Sequence, residues 1–171
     1  MHLFFCAQHT VKSIFCTIAL TLALSQLCHL SAAEIIGKVV GVTDGDTITL
    51  LDTSNSRHRI RLGRIDAPER RQPFGEKSKR FLASLVFGQC VRVEYEKKDR
   101  YGRILGTVFL GDEEINLTMV RHGMAWHYSF YDKTVRYAVA EREARQKKIG
   151  LWRDPDPMNP YDFRRSRKKF R

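Results

Sequence analysis

Acidic residues are absent from the start of this chain, and cysteine is scarce in the rest of it. Residues 1–33 contain no Asp or Glu, and Lys12 is their only Lys or Arg. Three of the four cysteines also lie in this stretch, so Cys90 is the only cysteine in the remaining 138 residues. A lone cysteine cannot close an internal disulfide, which excludes a disulfide-stabilised scaffold. Cys90 is either a reactive or dimer-forming thiol or an ordinary strand residue, and we favour the second interpretation.

The first 33 residues have the pattern of a secretory signal peptide. A largely apolar stretch covers 13–30, and the small residues Ser31, Ala32 and Ala33 follow it. We expect cleavage near Ala33 and a secreted or periplasmic bacterial protein. An uncleaved membrane anchor is the alternative, because the apolar stretch approaches the length that spans a bilayer.

The remainder of the chain is strongly basic. It carries 29 Lys and Arg against 19 Asp and Glu, a net charge of +10. Such a surplus attracts polyanions. Charge alone does not distinguish nucleic acid from acidic polysaccharide or an anionic membrane.

Polar and apolar residues alternate in short segments after residue 34, which predicts β-strands. The five strands are expected at 35–42, 47–50, 57–65, 91–95 and 104–110. Three helices are expected at about 73–88, 115–121 and 134–149. This pattern predicts a mainly β, α+β domain over 34–152, built as a five-stranded OB-fold barrel with three helices. The basic, Pro-containing extension 153–171 is expected to be wrapped or disordered.

Three short polar segments lie at the predicted strand ends and loops. They are Asp44 to Thr47, Arg61 to Glu69, and Asp99 to Arg103. Each alone has an ordinary explanation, as a turn, as carboxylates before a helix, or as a basic surface. Together they place acidic and basic groups where a barrel presents its ligand-binding side chains.

The acidic residues of these segments suit calcium. Asp46 and Asp66 offer hard oxygen ligands. Ala67 precedes a proline, so its backbone is held extended and its carbonyl is free to be a third ligand. None of these ligands is His or Cys, which favours calcium over zinc.

The basic residues and one further carboxylate suit phosphodiester hydrolysis. Arg61 and Arg103 are candidates to neutralise charge on the phosphoryl oxygens, because guanidinium groups bind them bidentately. Glu69 is the candidate to orient and deprotonate a water.

In this order and spacing, the three segments resemble the staphylococcal nuclease (thermonuclease) family, over about 36–152. The resemblance implies an OB-fold, one Ca²⁺, and hydrolysis of single-stranded or locally open DNA and RNA that leaves 3′-phosphate ends. It implies three groups of site residues: Asp46, Asp66 and the Ala67 carbonyl for the metal; Arg61, Glu69 and Arg103 for catalysis; Arg100 and Tyr101 for a nucleotide phosphate.

Two matters stay open in the sequence. Ala67 stands where other family members carry Thr, and it is not evident which aromatic residue among 126–131 stacks on a base or packs against the barrel. The main alternative to an enzyme is an OB-fold module that binds single-stranded nucleic acid without cleaving it. Such a module has no use for Asp46, Asp66 and Glu69, which would repel its ligand. We expect the chain to act as a monomer.

Overall fold

The computed structural model describes residues 33–169, so residues 1–32 of the predicted signal peptide lie outside the described range. The strands are β1 (Ala33–Asp44), β2 (Thr47–Asp52), β3 (Arg57–Leu62), β4 (Ile65–Asp66), β5 (Cys90–Lys98), β6 (Ile104–Leu110), β7 (Glu113–Glu114) and β8 (Trp126–His127). The α-helices are α1 (Gly75–Val86), α2 (Ile115–Arg121), α3 (Val135–Gln146) and α4 (Pro160–Lys169), and a 3-10 helix covers Gly150–Arg153. Within residues 33–169, none of the helices combines the length and apolarity needed to cross a membrane.

Five strands close into a barrel. β1 pairs with both β2 and β5, β2 pairs with β3, and β5 pairs with β6, all antiparallel. A parallel pairing of β3 with β6 closes the circle. The predicted five-stranded barrel with helical additions is therefore confirmed.

Alternation along β3 sorts its side chains between the two faces of the barrel wall. Ile60 and Leu62 are fully buried in the core, whereas Arg59 is exposed and Arg61 half-buried. The core continues through apolar residues of the other strands and of the helices, including Val39, Ile48, Leu50, Val93 and Leu82. Burial of this inner face leaves Arg61 on the outer face, where the site forms.

The third strand is shorter than predicted. It ends at Leu62 instead of continuing to residue 65, because Arg64 adopts a left-handed backbone with φ 65° that breaks the extended run. Ile65 and Asp66 then form β4, which pairs with β8 and not with the barrel. Because of this turn, Asp66 lies on a separate short strand and not on a continuation of β3.

The C-terminal extension, expected to be wrapped or disordered, contains a helix. Pro160 to Lys169 form α4, with Pro160 in the first turn, where its missing N–H costs no hydrogen bond. The Asn159 Oδ1 atom accepts a hydrogen bond from the Tyr161 N–H at 2.8 Å and satisfies one of the free amides at that end. The domain thus carries a fourth α-helix that hydrophobic periodicity did not reveal.

Candidate active site

Arg61 links the two carboxylates that the sequence singled out. Its Nη2 atom donates to Asp46 Oδ2 at 3.0 Å and to Asp66 Oδ1 at 2.9 Å. The two carboxylate oxygens are therefore no farther apart than the sum of those distances. Asp46 and Asp66, twenty residues apart in sequence, thus lie side by side at the end of the barrel.

The tight turn before β2 brings Asp46 to this position, and it requires glycine. A Cβ atom on Gly45 would lie 1.9 Å from Ser78 Oγ and 2.8 Å from the Cβ of Ala67. The turn is pressed directly against the loop that carries Ala67. The Ala67 N–H points at Asp46 Oδ2 across 3.4 Å, so the backbone of this residue lies beside the carboxylate pair.

The carboxylates and the guanidinium group shift one another's pKa values. Burial raises the pKa of Asp66, an effect that Arg164 and Arg61 oppose and Asp46 reinforces. Burial and the charge of Asp46 raise the pKa of Asp44, the next acid along the turn, to about 6. Burial opposes the charge on Arg61, but Asp46 and Asp66 outweigh it and hold the pKa of the guanidinium above its ordinary value. A further cation at this cluster would favour the charged forms of Asp44 and Asp66.

Arg103 reaches the same cluster from the loop between β5 and β6. Its Nε atom donates to Asp99 Oδ2 at 2.8 Å, which fixes the direction of the side chain. Its Nη1 atom lies 3.5 Å from Thr47 Oγ1, and that hydroxyl donates to Asp46 Oδ1 at 2.9 Å. A chain of hydrogen bonds therefore connects Arg103 to the carboxylate of Asp46.

Glu69 lies in the loop between β4 and α1, and its side chain is partly exposed. Its Oε1 atom accepts a hydrogen bond from Arg164 Nη1 at 2.9 Å. Its backbone N–H donates to Gln72 Oε1 at 3.1 Å, which holds the loop in place. The carboxylate shares Arg164 with Asp66 and is accessible to water.

Arg100 and Tyr101 occupy the tip of the β5–β6 loop. The Tyr101 ring is 67% exposed, and the guanidinium carbons of Arg100 and Arg103 lie 4.8 and 5.6 Å from its centroid. An exposed ring flanked by two cations can contact both a base and a phosphate.

A cavity of about 1220 Å³ joins these groups. It is lined by seven of the eight residues proposed from the sequence, namely Asp46, Arg61, Ala67, Glu69, Arg100, Tyr101 and Arg103. Asp66, the eighth, is 2% exposed and lies against Arg61 behind this surface. Lys97, Lys98 and Arg136 add positive charge to the walls. The cavity thus has basic walls around a small acidic centre, an arrangement that suits a phosphate chain and a cation together.

The structure separates the aromatic residues that the sequence could not. Trp126 packs edge-on against Trp152 with centroids 4.4 Å apart, and the buried His127 pairs with Asp132 at 2.8 Å. Tyr128 lines the cavity, with its ring centroid 5.8 Å from the Arg61 guanidinium carbon, and Tyr131 lines the cavity beside it. Tyr128 and Tyr131 are therefore the aromatic residues of this segment that line the cavity.

Asp44, Tyr128 and Arg164 are among the cavity residues to which the sequence assigned no role. Asp44 stood inside a recognised segment and could have been found as a second acid of that turn. Tyr128 belonged to an aromatic run whose faces cannot be assigned without the fold. Arg164 gave no signal at all, because it is one of several basic residues in a segment without periodicity.

The donor set agrees with calcium in kind. Within residues 33–169 no three His, Cys, Asp or Glu side chains gather as a metal cage, so side chains alone do not enclose an ion. The Asp46 and Asp66 oxygens share Arg61 Nη2, Asp66 also accepts from Arg164, and the backbone of Ala67 adjoins Asp46. Calcium is bound by such mixtures of carboxylate, backbone carbonyl and water. These residues therefore fit the ion that the sequence implied.

The chain is similar to one protein-family model and to several named proteins. The family model described as "Staphylococcal nuclease homologue" matches residues 59–154. An Escherichia coli protein named as an uncharacterized endonuclease is 49% identical over 133 residues, covering 77% of this chain and 86% of its own length. A Haemophilus influenzae protein of the same description is 45% identical, covering 77% of this chain and 74% of its own. A Shigella flexneri protein named micrococcal nuclease is 42% identical over 147 residues, covering 80% and 84%.

Proposed function

This chain belongs to the staphylococcal nuclease family and is a phosphodiesterase of the endonuclease type, and from that premise we propose that it is a calcium-dependent nuclease that hydrolyses DNA and RNA. The observation that carries the proposal is the contact of one Arg61 nitrogen with both Asp46 and Asp66. It assembles a cation, two hard-oxygen donors and the edge of a basic cavity at one point.

Asp46, Asp66 and the Ala67 carbonyl are the residues we propose to hold Ca²⁺. A bound Ca²⁺ supplies positive charge that polarises a phosphoryl oxygen and favours ionisation of nearby water. Burial raises the pKa values of Asp44 and Asp66, so a bound cation would favour their charged forms. The protein's part is to hold these oxygens close together and keep them largely out of bulk water.

Glu69 is the residue we propose to orient and deprotonate the attacking water. Its carboxylate is partly exposed at the cavity and lies close enough to Asp66 for one Arg164 side chain to contact both. A water between Glu69 and a phosphate in the cavity would lose its proton to the carboxylate as the new P–O bond forms.

Arg61 and Arg103 are the residues we propose to stabilise the transition state. Both are held by carboxylates, Arg61 by Asp46 and Asp66 and Arg103 by Asp99, so their donors are oriented before substrate arrives. Preorganised donors of this kind stabilise developing negative charge without reorganising during the reaction. In-line attack opposite the 5′ oxygen breaks its bond to phosphorus; that oxygen leaves as a 5′-hydroxyl after taking a proton from water, and a 3′-phosphate end remains.

Single-stranded or locally open nucleic acid is the substrate we propose. Tyr128 and Tyr131 line the cavity, and we propose that they stack on unstacked bases, whereas Arg100 and Tyr101 of the β5–β6 loop bind a phosphate. Bases in an intact duplex do not expose their faces for such stacking. The basic walls of the cavity would contact the phosphate backbone of the nucleic acid. Binding should therefore weaken strongly as the salt concentration rises.

The test is digestion of single-stranded DNA, duplex DNA and RNA by the purified protein, with calcium and with a chelator. We expect cleavage with calcium, faster on open strands, and 3′-phosphate ends that phosphatase treatment converts to extendable primers. Asp46→Ala should need much more calcium for half-maximal rate, whereas Asp112→Ala, on the exposed turn between β6 and β7, should not. Undiminished cleavage in chelator would contradict the metal assignment.

We also propose that the protein is exported, with the leader removed near Ala33, and that it acts as a monomer. The sequence pattern of residues 1–33 supports the export. Intact-mass measurement of protein recovered from the cell envelope or medium would locate the cleavage site. Light scattering would give the oligomeric state. A leader still attached to the recovered protein would contradict its removal near Ala33.

A further inference from the structure

Arg164 of helix α4 extends into the candidate active site and grips its carboxylates. Its Nη2 atom donates to Asp66 Oδ2 at 2.8 Å and its Nη1 atom to Asp66 Oδ1 at 3.1 Å. The same Nη1 donates to Glu69 Oε1 at 2.9 Å. A residue 98 positions away from Asp66 along the chain thus contacts both a proposed metal ligand and the proposed base.

These contacts use the lone pairs that a metal ion would need. Each carboxylate oxygen has two lone pairs suited to hydrogen bonds or metal bonds. On Asp66 Oδ1 these accept from Arg61 Nη2 and Arg164 Nη1, and on Oδ2 one accepts from Arg164 Nη2. A calcium ion bonded at about 2.4 Å to either oxygen would also stand against a guanidinium charge. Calcium at Asp66 therefore disfavours Arg164 there through charge repulsion, although one lone pair of Oδ2 stays free.

A second contact fastens the extension next to the site. Gln72, which is 6% exposed, donates from Nε2 to the backbone oxygen of Met158 at 2.7 Å. The Oε1 atom of the same side chain accepts from the Glu69 N–H. Gln72 therefore ties the segment before α4 to the loop that carries Glu69, and α4 starts beside that loop.

The attachment of α4 itself is mostly polar. Of its residues with described side chains, Pro160 is buried and Phe163 half-buried, whereas Tyr161, Asp162, Arg165 and Arg167 are exposed. The Arg164 side chain is 35% exposed, so water can reach it and replace its contacts. The helix buries little apolar surface of its own, so its docking depends on the Arg164 contacts and it can open locally.

We propose that α4 is an autoinhibitory latch, in which Arg164 occupies Asp66 and Glu69 until a calcium ion takes Asp66. This inference rests on the proposed function, because the latch regulates the same metal site. Metal binding and docking of Arg164 disfavour one another, and each weakens the other by the same factor. The free enzyme then keeps its base paired and its metal ligands neutralised, and calcium both completes the site and releases Glu69.

The first experiment is a calcium titration by isothermal calorimetry without nucleic acid. We expect Arg164→Ala to bind calcium about 5- to 10-fold more tightly than the unaltered protein. Arg164→Lys should fall between them, because lysine keeps the charge but cannot bridge two carboxylates. Arg167→Ala is the matched control: it removes the same charge from an exposed position of α4 and should change the affinity less than twofold.

The second experiment follows the helix directly by hydrogen–deuterium exchange of peptides covering residues 158–169. We expect saturating calcium to speed exchange there in the unaltered protein, and Arg164→Ala to exchange as fast without calcium. The Arg167→Ala variant should respond to calcium as the unaltered protein does.

The outcomes distinguish failure of the latch proposal from failure of the proposed calcium site. Equal calcium affinity of Arg164→Ala and unaltered protein overturns the latch and leaves the metal site standing. Weaker binding or slower turnover at saturating calcium in Arg164→Ala also overturns it, since Arg164 would then support the bound state. Absence of calcium binding in every variant overturns the proposed metal site itself.

Discussion

Thr47 lies directly opposite Arg61 in the antiparallel pairing of β2 with β3. The Thr47 hydroxyl donates to Asp46, while the Arg61 guanidinium donates to the other oxygen of the same carboxylate. The register of one strand pair therefore fixes Asp46 from both sides. A slip of this register by one residue would turn Arg61 into the core and dismantle the site.

Glu69→Gln should lower turnover on single-stranded DNA at least about 100-fold, because the amide cannot take the proton of the attacking water. Binding of the DNA should change little, since the side chain keeps its size and loses a repulsive charge. Initial rates and fluorescence anisotropy measure the two effects. Glu76→Gln, at an exposed position of α1, is the matched control, and similar rates for the two variants would contradict the role of Glu69.

Arg61→Ala should destabilise the calcium-free protein by about 3 kcal/mol, because it leaves two largely buried carboxylates facing each other without their shared cation. Saturating calcium should restore part of that loss, since ligand binding to the folded state stabilises it. Urea unfolding in chelator and in calcium gives both values.

Arg59→Ala is the control for that comparison, because Arg59 lies on the same strand but is exposed. We expect it to change the free energy of unfolding by about 0.5 kcal/mol or less. Equal destabilisation by the two variants, or no recovery with calcium, would show that Arg61 does not balance the acid pair.

Tyr128→Leu should weaken binding of a short single-stranded oligonucleotide by about 1 kcal/mol or more, the usual cost of losing one stacked base. The measurement is fluorescence anisotropy in chelator, so that the oligonucleotide stays intact. Phe130→Leu is the control, because Phe130 is 78% exposed in the same segment but does not line the cavity. A larger effect at Phe130 would mean that bases bind outside the cavity.

Asp132 should give the fold a pH-dependent contribution. Burial opposes its charge, but His127 and Thr134 outweigh burial and lower the pKa of Asp132 below the usual 3.8. A carboxylate with a lowered folded-state pKa stabilises the fold above its unfolded pKa, and this stabilisation is lost as the pH falls through the folded value. Asp132→Asn should therefore cost about 1 kcal/mol at neutral pH.

Urea unfolding of Asp132→Asn and the unaltered protein, from neutral pH down to about pH 3, follows that difference. We expect the two stabilities to differ at neutral pH and to converge only below pH 3.8. Convergence at a higher pH would contradict the assignment. Asp156→Asn, in the exposed turn after the 3-10 helix, serves as the control and should show no such trend.

Much of the fold was evident in local sequence because its elements follow short periodicities. Strand β6 (Ile104–Leu110) and helix α2 (Ile115–Arg121) have the bounds expected from alternation and from helical spacing. The predicted ends of β3 and α3 were wrong because a single residue with a left-handed backbone ended each element. Arg64 ended β3 early, and Lys148, with φ 51°, ended the run of α3 before residue 149.

The sequence by itself determined which chemical groups are available. Asp46, Arg61, Asp66, Glu69 and Arg103 stand in short segments whose residue types suit a cation and a phosphate. Only the tertiary structure decided that one Arg61 nitrogen joins both Asp46 and Asp66, and that Arg164 closes over Asp66. The physical reason is range: periodicity and turn chemistry act over a few residues, whereas barrel closure and docking of α4 bring together groups up to 98 residues apart.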